Sequence, residues 1–318
     1  MKKSRIKTAV IFLVILVLIV FVYILLHGDK EKKPVLSGEL DTQGQYITYN
    51  GKQYETNAEI KTVLFLGVDK EAKAELSQTP GENGQSDSIN LLVLNTKEKT
   101  GQILQISRDS MVDVDIYDFN GQHITTEKGQ ITLQYAYGDG KEKSCRLTAE
   151  KVSELLFGVH VQDYLSLTLE GITAATDAVG GVTLTVPKDY TKIDPSFEEG
   201  ATVTLDGAKA EKYVRSRDQE SLEGNNERME RQAQFMQALI RQMQSVESGD
   251  YQSIYRQLEP YIVTNMSAKE LEDLSDYKIS DDITVLPGNV QLKDGHAQYL
   301  VDDEKTKELV IKWFYKEV

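Results

Sequence analysis

The sequence has a single cysteine and four histidines among 318 residues. One thiol, Cys145, cannot close an intramolecular disulfide, and with carboxylates as most of the remaining metal ligands, zinc ribbons and cysteine-rich clusters are excluded. Cations are also in deficit: 36 Lys and Arg face 50 Asp and Glu, a formal net charge of −14. That balance excludes non-specific nucleic-acid binding, which depends on surplus basic side chains along the phosphate backbone. A phosphate-binding patch in this chain must be local. Internal repeats and low-complexity tracts are absent. What is present, 40% hydrophobic residues over this length, is ample for one large folded domain.

One long apolar run occupies residues 9–26, AVIFLVILVLIVFVYILL. At roughly 1.5 Å per helical residue its 18 residues cover about 27 Å, close to the hydrocarbon thickness of a bilayer. Lys2, Lys3, Arg5 and Lys7 precede it, so the positive-inside rule places the N-terminus in the cytoplasm and the rest of the chain outside. A cleaved signal peptide is the competing reading. Against it, the run is longer than a usual signal-peptide core, and the HGDKEKKP that follows lacks a small-x-small cleavage pattern. The expected organisation is a cytoplasmic tail at 1–7, a transmembrane signal anchor at 8–27, a polar stalk at 28–60 and one extracytoplasmic domain at 61–318. Without the four leading cations the chain carries 32 basic against 50 acidic residues. An acidic ectodomain without disulfides suits a Gram-positive cell surface better than a eukaryotic secretory pathway.

Within the outer part, residues 61–66, 89–94 and 102–106 are short apolar runs of strand length, hydrophobic on both faces as central strands are. Residues 45–49, 164–169, 182–186 and 283–286 read as further strands. Helical patterns cover 132–137, 148–157, 170–179, 206–214, 226–245 and 303–315, and Ser267 with Glu270 has capping-box spacing for another helix. Strands alternating with helices predict a three-layer α/β/α domain with a central mixed sheet, behind one N-terminal transmembrane helix.

Three stretches carry candidate chemistry. Asp69 follows one central strand directly and Asp87 immediately precedes the next, so two carboxylates stand at adjacent strand ends. Such a pair suits a hard cation that completes its shell with water and phosphate oxygens; two turn-capping residues are the alternative. Arg108 and Asp109 sit at the C-terminal end of a strand, where open α/β sheets bind ligands, and a surface Arg–Asp pairing is the alternative there. Arg215, Arg217, Arg228 and Arg231 fall within 17 positions of an acidic chain. On the helix that follows, Met229, Met236, Leu239, Ile240 and Met243 form one stripe at about 100° per residue, with Gln232 inside it and Arg228 at its border. Polar groups thus enter an apolar face near a helix N-terminus, a setting suited to a pyrophosphate. A solvated Arg–Glu surface, with Glu227 and Glu230 neutralising the arginines, is the alternative.

Taken in order, these segments resemble the LytR-CpsA-Psr family of cell-wall phosphotransferases. The resemblance rests on LGVD at 66–69, SDS at 86–88, ISRDS at 106–110, DAVGGV at 177–182, LDGAKAEKYVRSR at 205–217 and ERMERQ at 227–232. It implies a hydrophobic pocket for a polyprenyl chain with an arginine-lined mouth for its pyrophosphate. It further implies Mg2+ (or Mn2+) on Asp69 and Asp87, and pyrophosphate binding by Arg108, Arg215, Arg217 and Arg228, with Gln232 as the family's site glutamine and Arg231 also in the motif. Gln85 stands where the family often has Arg, and Asn225 where it often has Asp, so Asp109 or Asp218 is left as a candidate base unless none is needed.

The implied reaction transfers a teichoic acid-like or capsule-like glycopolymer from polyprenyl pyrophosphate to peptidoglycan, with Arg108, Arg215, Arg217 and Asp109 as the candidate catalytic set. A non-catalytic binder of polyprenyl phosphates or glycopolymers, and a pyrophosphatase acting on the same lipid, are the alternatives. A membrane-bound transcriptional attenuator has no DNA-binding surface in a seven-residue tail and an acidic remainder.

Overall fold

The computed structural model describes residues 46–71, 73–76, 79–216, 224–247, 249–293 and 295–318. They belong to the compact unit Gly38–Val318; the other unit, Met1–Ser37, which contains the apolar run and the expected span at 8–27, lies outside the described residues. Among the described residues no helix is long and apolar enough to cross a membrane.

The first half of the unit contains β1 (Tyr46–Tyr49), β2 (Lys52–Thr56), β3 (Ile60–Val68), β4 (Ser86–Asn95), β5 (Thr100–Ile106), β6 (Met111–Tyr117), β7 (His123–Gln130), α1 (Thr132–Ala136), α2 (Glu142–Leu155) and β8 (Asp163–Thr168). It continues with α3 (Leu169–Ala178), β9 (Val182–Thr185), β10 (Thr202–Leu205), α4 (Gly207–Arg215), α5 (Gly224–Gln244), α6 (Tyr251–Leu258), β11 (Ile262–Thr264) and α7 (Ala268–Asp273). The last elements are β12 (Lys278–Val285), β13 (Gly288–Lys293), β14 (His296–Val301), α8 (Asp303–Phe314) and β15 (Tyr315–Glu317).

The central sheet has the order β11-β8-β3-β4-β5-β12, with β8/β3 and β5/β12 parallel and the other pairs antiparallel. This is the mixed sheet expected. Its middle strands are apolar on both faces because both are covered. On one face the Tyr135 hydroxyl of α1 lies 3.3 Å from Ser166 Oγ of β8. On the other, Met236 and Ile240 of α5 pack over Val63, Leu92, Leu94 and Ile103.

Local signals set the ends of the helices facing the site. Asp206 accepts from Lys209 N at 2.8 Å and starts α4. Gly180 and Gly181, at φ 76° and 100°, take the left-handed backbone that ends α3. Ser267 and Glu270 form the full capping box of α7.

Three features depart from the sequence reading. The folded unit starts well before residue 61: β1 and β2 form a hairpin, and β2 pairs with β15 from Tyr315↔Thr56 to Glu317↔Tyr54. The supposed stalk is therefore tied to the chain's C-terminal strand over its last part. β2 (KQYET) is mostly exposed, so no apolar pattern announces it. The hairpins β6–β7 and β13–β14 were not expected either: β7 and β13 are mostly exposed, although β6 buries Val112 and Val114 and β14 buries Tyr299.

Candidate functional site

The site forms where β3 ends and β4 begins. These strands are in register from Ile60↔Asn95 to Gly67↔Ser88, and then the pairing jumps to Val68↔Ser86, leaving Asp87 as an extra residue in a bulge. In a regular strand Asp87 would share the face of Ile89 and Leu91. The bulge re-aims it, so that its carboxylate lines the same cavity as Ser88, Asn90 and Leu92. Asp69 arrives in phase with Phe65 and Gly67 and lines that cavity too. Its Oδ1 accepts from Gln85 N at 2.5 Å, and its own N–H donates to Gln85 O at 3.1 Å. Gly84, at φ 80°, lies against this clasp: a Cβ there would stand 2.9 Å from Val68 Cγ1 and 3.1 Å from Asp69 Oδ1.

Arginines from two elements converge on Asp87. Arg108, just past β5, donates through Nη1 to Asp87 Oδ1 and through Nη2 to Gln85 Oε1 at 2.7 Å. Arg228, in the first turns of α5, donates to Asp87 Oδ2 at 3.1 Å. Gln85, the residue that departs from the family pattern, thus orients Arg108. Arg215, the last residue of α4, lines the cavity but is half exposed, paired to Glu71 at 2.6 Å and to Glu211 at 3.1 Å. Glu71 first, then Glu211, pushes its pKa still further above the ordinary arginine value, so it stays cationic.

Below this mouth the cavity, of about 730 Å³, is apolar, with Leu165, Leu167, Ile172, Met236, Ile240 and Met243 in its wall. Most of the expected apolar stripe of α5 faces it. Amides interrupt the apolar wall, among them Gln232 and Asn90. Gln232 donates to Val214 O at 3.2 Å, and Asn90 donates to Ser88 Oγ at 3.0 Å. Among the described residues, Gln232 Oε1 and Asn90 Oδ1 have no hydrogen-bond partner. Asn90 was missed in the sequence, where its one signal is an amide inside the apolar run INLLVL.

Two expected site residues lie elsewhere. Asp109 is buried and off the cavity wall, accepting from Gln130 Nε2 at 3.0 Å, but its Oδ1 also lies 3.7 Å from Arg108 Nε, so it backs that arginine from behind as the expected Arg–Asp pairing would. Arg231 is also buried and away from the cavity wall, donating to Tyr213 O and Ser216 O. Arg217 and Asp218 lie outside the described residues. Among the described residues no group of three or more His, Cys, Asp or Glu side chains is placed to hold a metal ion.

The sequence matches the LytR_cpsA_psr family over residues 20–312. It is 26% identical over 264 residues to the polyisoprenyl-teichoic acid–peptidoglycan teichoic acid transferase TagU of Bacillus cereus, covering 81% of this chain and 79% of that protein. The TagU of Enterococcus faecalis is 26% identical over 314 residues, 96% of this chain and 95% of its own. The fold is similar to the solved structure of TagT bound to LI-WTA, with a TM-score of 0.61 and 23% identity over 80% of this chain and 90% of that one. On the match across most of its length, the chain belongs to the LytR-CpsA-Psr family.

Proposed function

We propose that the chain transfers an anionic glycopolymer from a polyprenyl-pyrophosphate carrier to a peptidoglycan hydroxyl. The observation that carries this reading is the junction of two environments: guanidinium groups ring the mouth of a cavity whose interior is apolar. A molecule with a diphosphate head and a hydrocarbon tail matches both. The relatives' names, teichoic acid transferases acting between polyisoprenyl-linked polymer and peptidoglycan, point the same way.

In the reaction, the acceptor hydroxyl oxygen attacks the phosphorus that bears the glycopolymer. The bond from that phosphorus to the bridging oxygen breaks, polyprenyl phosphate leaves, and a phosphodiester remains. Phosphoryl transfer relies on alignment and charge neutralisation more than on a strong nucleophile. Arg108 and Arg228, with Arg215 and Arg217, neutralise charge on the leaving phosphate. The hydroxyl proton passes to solvent at the open mouth, since Asp109 stands behind Arg108 and does not line the cavity. The apolar wall excludes water around the first prenyl units and fixes the direction of the tail.

Asp69 and Asp87 fit a Mg2+ or Mn2+ ion only as a partial ligand set, to be completed by phosphate oxygens and water, which is how Mg2+ usually binds in phosphate chemistry. The chemistry such an ion supplies when bound is further neutralisation of the phosphate oxygens. The run at 9–26 anchors the chain with its domain outside the cell membrane, confining it to the layer that holds the lipid carrier.

The test is a transfer assay with the full-length chain, a synthetic lipid-pyrophosphate-linked glycan, peptidoglycan and Mg2+. Phosphodiester-linked product and polyprenyl phosphate should appear together, and Arg228→Ala should lower the rate on the order of 10². Lipid phosphate released without linked product marks a hydrolase, and binding without release marks a carrier. Either result overturns the proposal.

A further inference from the structure

Both oxygens of the Asp87 carboxylate are taken by guanidinium groups, Oδ1 by Arg108 and Oδ2 by Arg228. The three side chains are well shielded, at 17%, 15% and 9% exposure, so salt screens their interaction weakly. This arrangement sets a conflict. A divalent cation recruiting Asp87 must displace a guanidinium and then sit beside two positive charges. A diphosphate needs those same guanidiniums and, with its higher negative charge and bidentate geometry, is a better partner for them than one carboxylate.

We propose that Asp87 is an internal counter-ion that is exchanged when the head group binds. Before the head group binds, the carboxylate is shared between Arg108 and Arg228 and offsets one of their two charges, while Asp109 lies 3.7 Å from Arg108 Nε on its other side. When a diphosphate enters, the guanidiniums transfer to its oxygens and Asp87 is released to join Asp69 on a divalent cation. Cation and diphosphate therefore bind together, each tightening the other by the same factor, as linkage requires. The inference rests on the diphosphate reading of the site and adds a binding order: the cation does not occupy the site ahead of the lipid. Asp69 is clasped by the Gln85 backbone rather than by either guanidinium, and keeps its place throughout.

The distinctive consequence is that removing a cationic side chain creates metal affinity in the absence of any phosphate. The experiment titrates Mn2+ into the full-length chain and follows free Mn2+ by electron paramagnetic resonance. Wild type should bind Mn2+ weakly. Arg228→Met and, separately, Arg108→Met should each bind it at least about tenfold more tightly, because one repelling charge is gone and one Asp87 oxygen is released. Adding Asp87→Asn to either variant should erase the gain. Geranyl pyrophosphate, with its own chelation measured in parallel, should tighten Mn2+ binding to wild type.

Because Arg108 and Arg228 come from different elements, misfolding of one variant, seen by circular dichroism, leaves the other to decide. Equal Mn2+ affinity in wild type and the arginine variants would overturn the exchange, as would a gain that survives Asp87→Asn. The transfer assay is a separate readout: Mn2+ results as described with no transfer would refute the proposed function and leave the exchange standing.

Discussion

Arg231 Nε donates to the carbonyl oxygen of Tyr213 at 2.8 Å, joining the second turn of α5 to the last turn of α4. The same guanidinium reaches Ser216 O and lies 4.8 Å from the centre of the Tyr190 ring. Its neighbour Gln232 donates to Val214 O at 3.2 Å. The carbonyls left without helical partners at the end of α4 are thus held by α5, and a buried cation sits at the negative end of a helix dipole. Arg215 is the last residue of α4, so its position at the mouth depends on this joint.

Replacing Arg231 is therefore a stability mutation first. Arg231→Met should cost about 2–4 kcal/mol, from lost charge-assisted hydrogen bonds and carbonyls left buried without donors. Arg228→Met should cost far less in chemical denaturation while losing most diphosphate affinity. A stable Arg231→Met that fails to bind the diphosphate would show a direct phosphate ligand instead.

Asn90 presents the opposite balance. It is 2% exposed, and its Oδ1 lacks a partner among the described residues. A buried acceptor in that state costs about 1–3 kcal/mol, so Asn90→Leu, which keeps the same heavy-atom branching and can extend into the adjoining cavity, should raise stability by about 1 kcal/mol. The same change should weaken binding of short prenyl pyrophosphates, because the polar step below the mouth is lost. A melting curve and a binding titration on one preparation read both effects; a destabilised variant contradicts this account of the amide.

Chelation separates the two carboxylates from a merely structural pair. Transfer should stop in EDTA and return with Mg2+ or Mn2+, and Asp69→Asn should block that recovery without shifting the melting temperature by more than a few degrees. Full activity in EDTA would remove Asp69 and Asp87 from any metal role.

A pH effect is expected far from the cavity. Asp115 on β6 meets Lys151 of α2 at 2.8 Å, and Thr126 Oγ1 donates to its other oxygen at 2.7 Å. Burial pushes the Asp115 carboxyl up, but its hydrogen bonds from Lys151 and Thr126 together hold it below the ordinary 3.8. For Lys151, burial pulls down while Asp115 and Glu154 together carry it above 10.5. A lowered acid contributes stability above its unfolded pKa and loses it as pH falls through the folded value, so this contact weakens below about pH 4. A raised base loses its contribution as pH climbs through its folded value, above 10.5. Denaturation of wild type and Asp115→Asn should therefore differ at pH 7 and converge in acid. Parallel curves from pH 7 to 3 would contradict it.

Much of this architecture was legible because it is written in apolar periodicity. The runs that became β3, β4 and β5 are hydrophobic on both faces, and the stripe through Met236, Ile240 and Met243 repeats at the helical period. The exposed strands escaped for the converse reason. β2, β7 and β13 leave most of their side chains in solvent, so they carry little apolar signal; β7 and β13 are held by the neighbouring strands β6 and β14, and β2 by β1 and by β15 from the far end of the chain.

By itself the sequence determined the chemical ingredients: a cation-poor chain that gathers arginines in a few places, two aspartates at adjacent strand ends, and enough periodic apolar surface for a layered α/β core. Only the tertiary structure decided which ingredients meet. Arg228 and Arg231 lie three positions apart on one helix, about 60° apart around its axis, and no local pattern ranks them. One reaches Asp87 because a bulge turns that carboxylate toward it; the other reaches α4 because the end of α4 is what lies on its side. The direction a side chain takes from a helix is local, but what it finds there is set by elements folded from elsewhere in the chain.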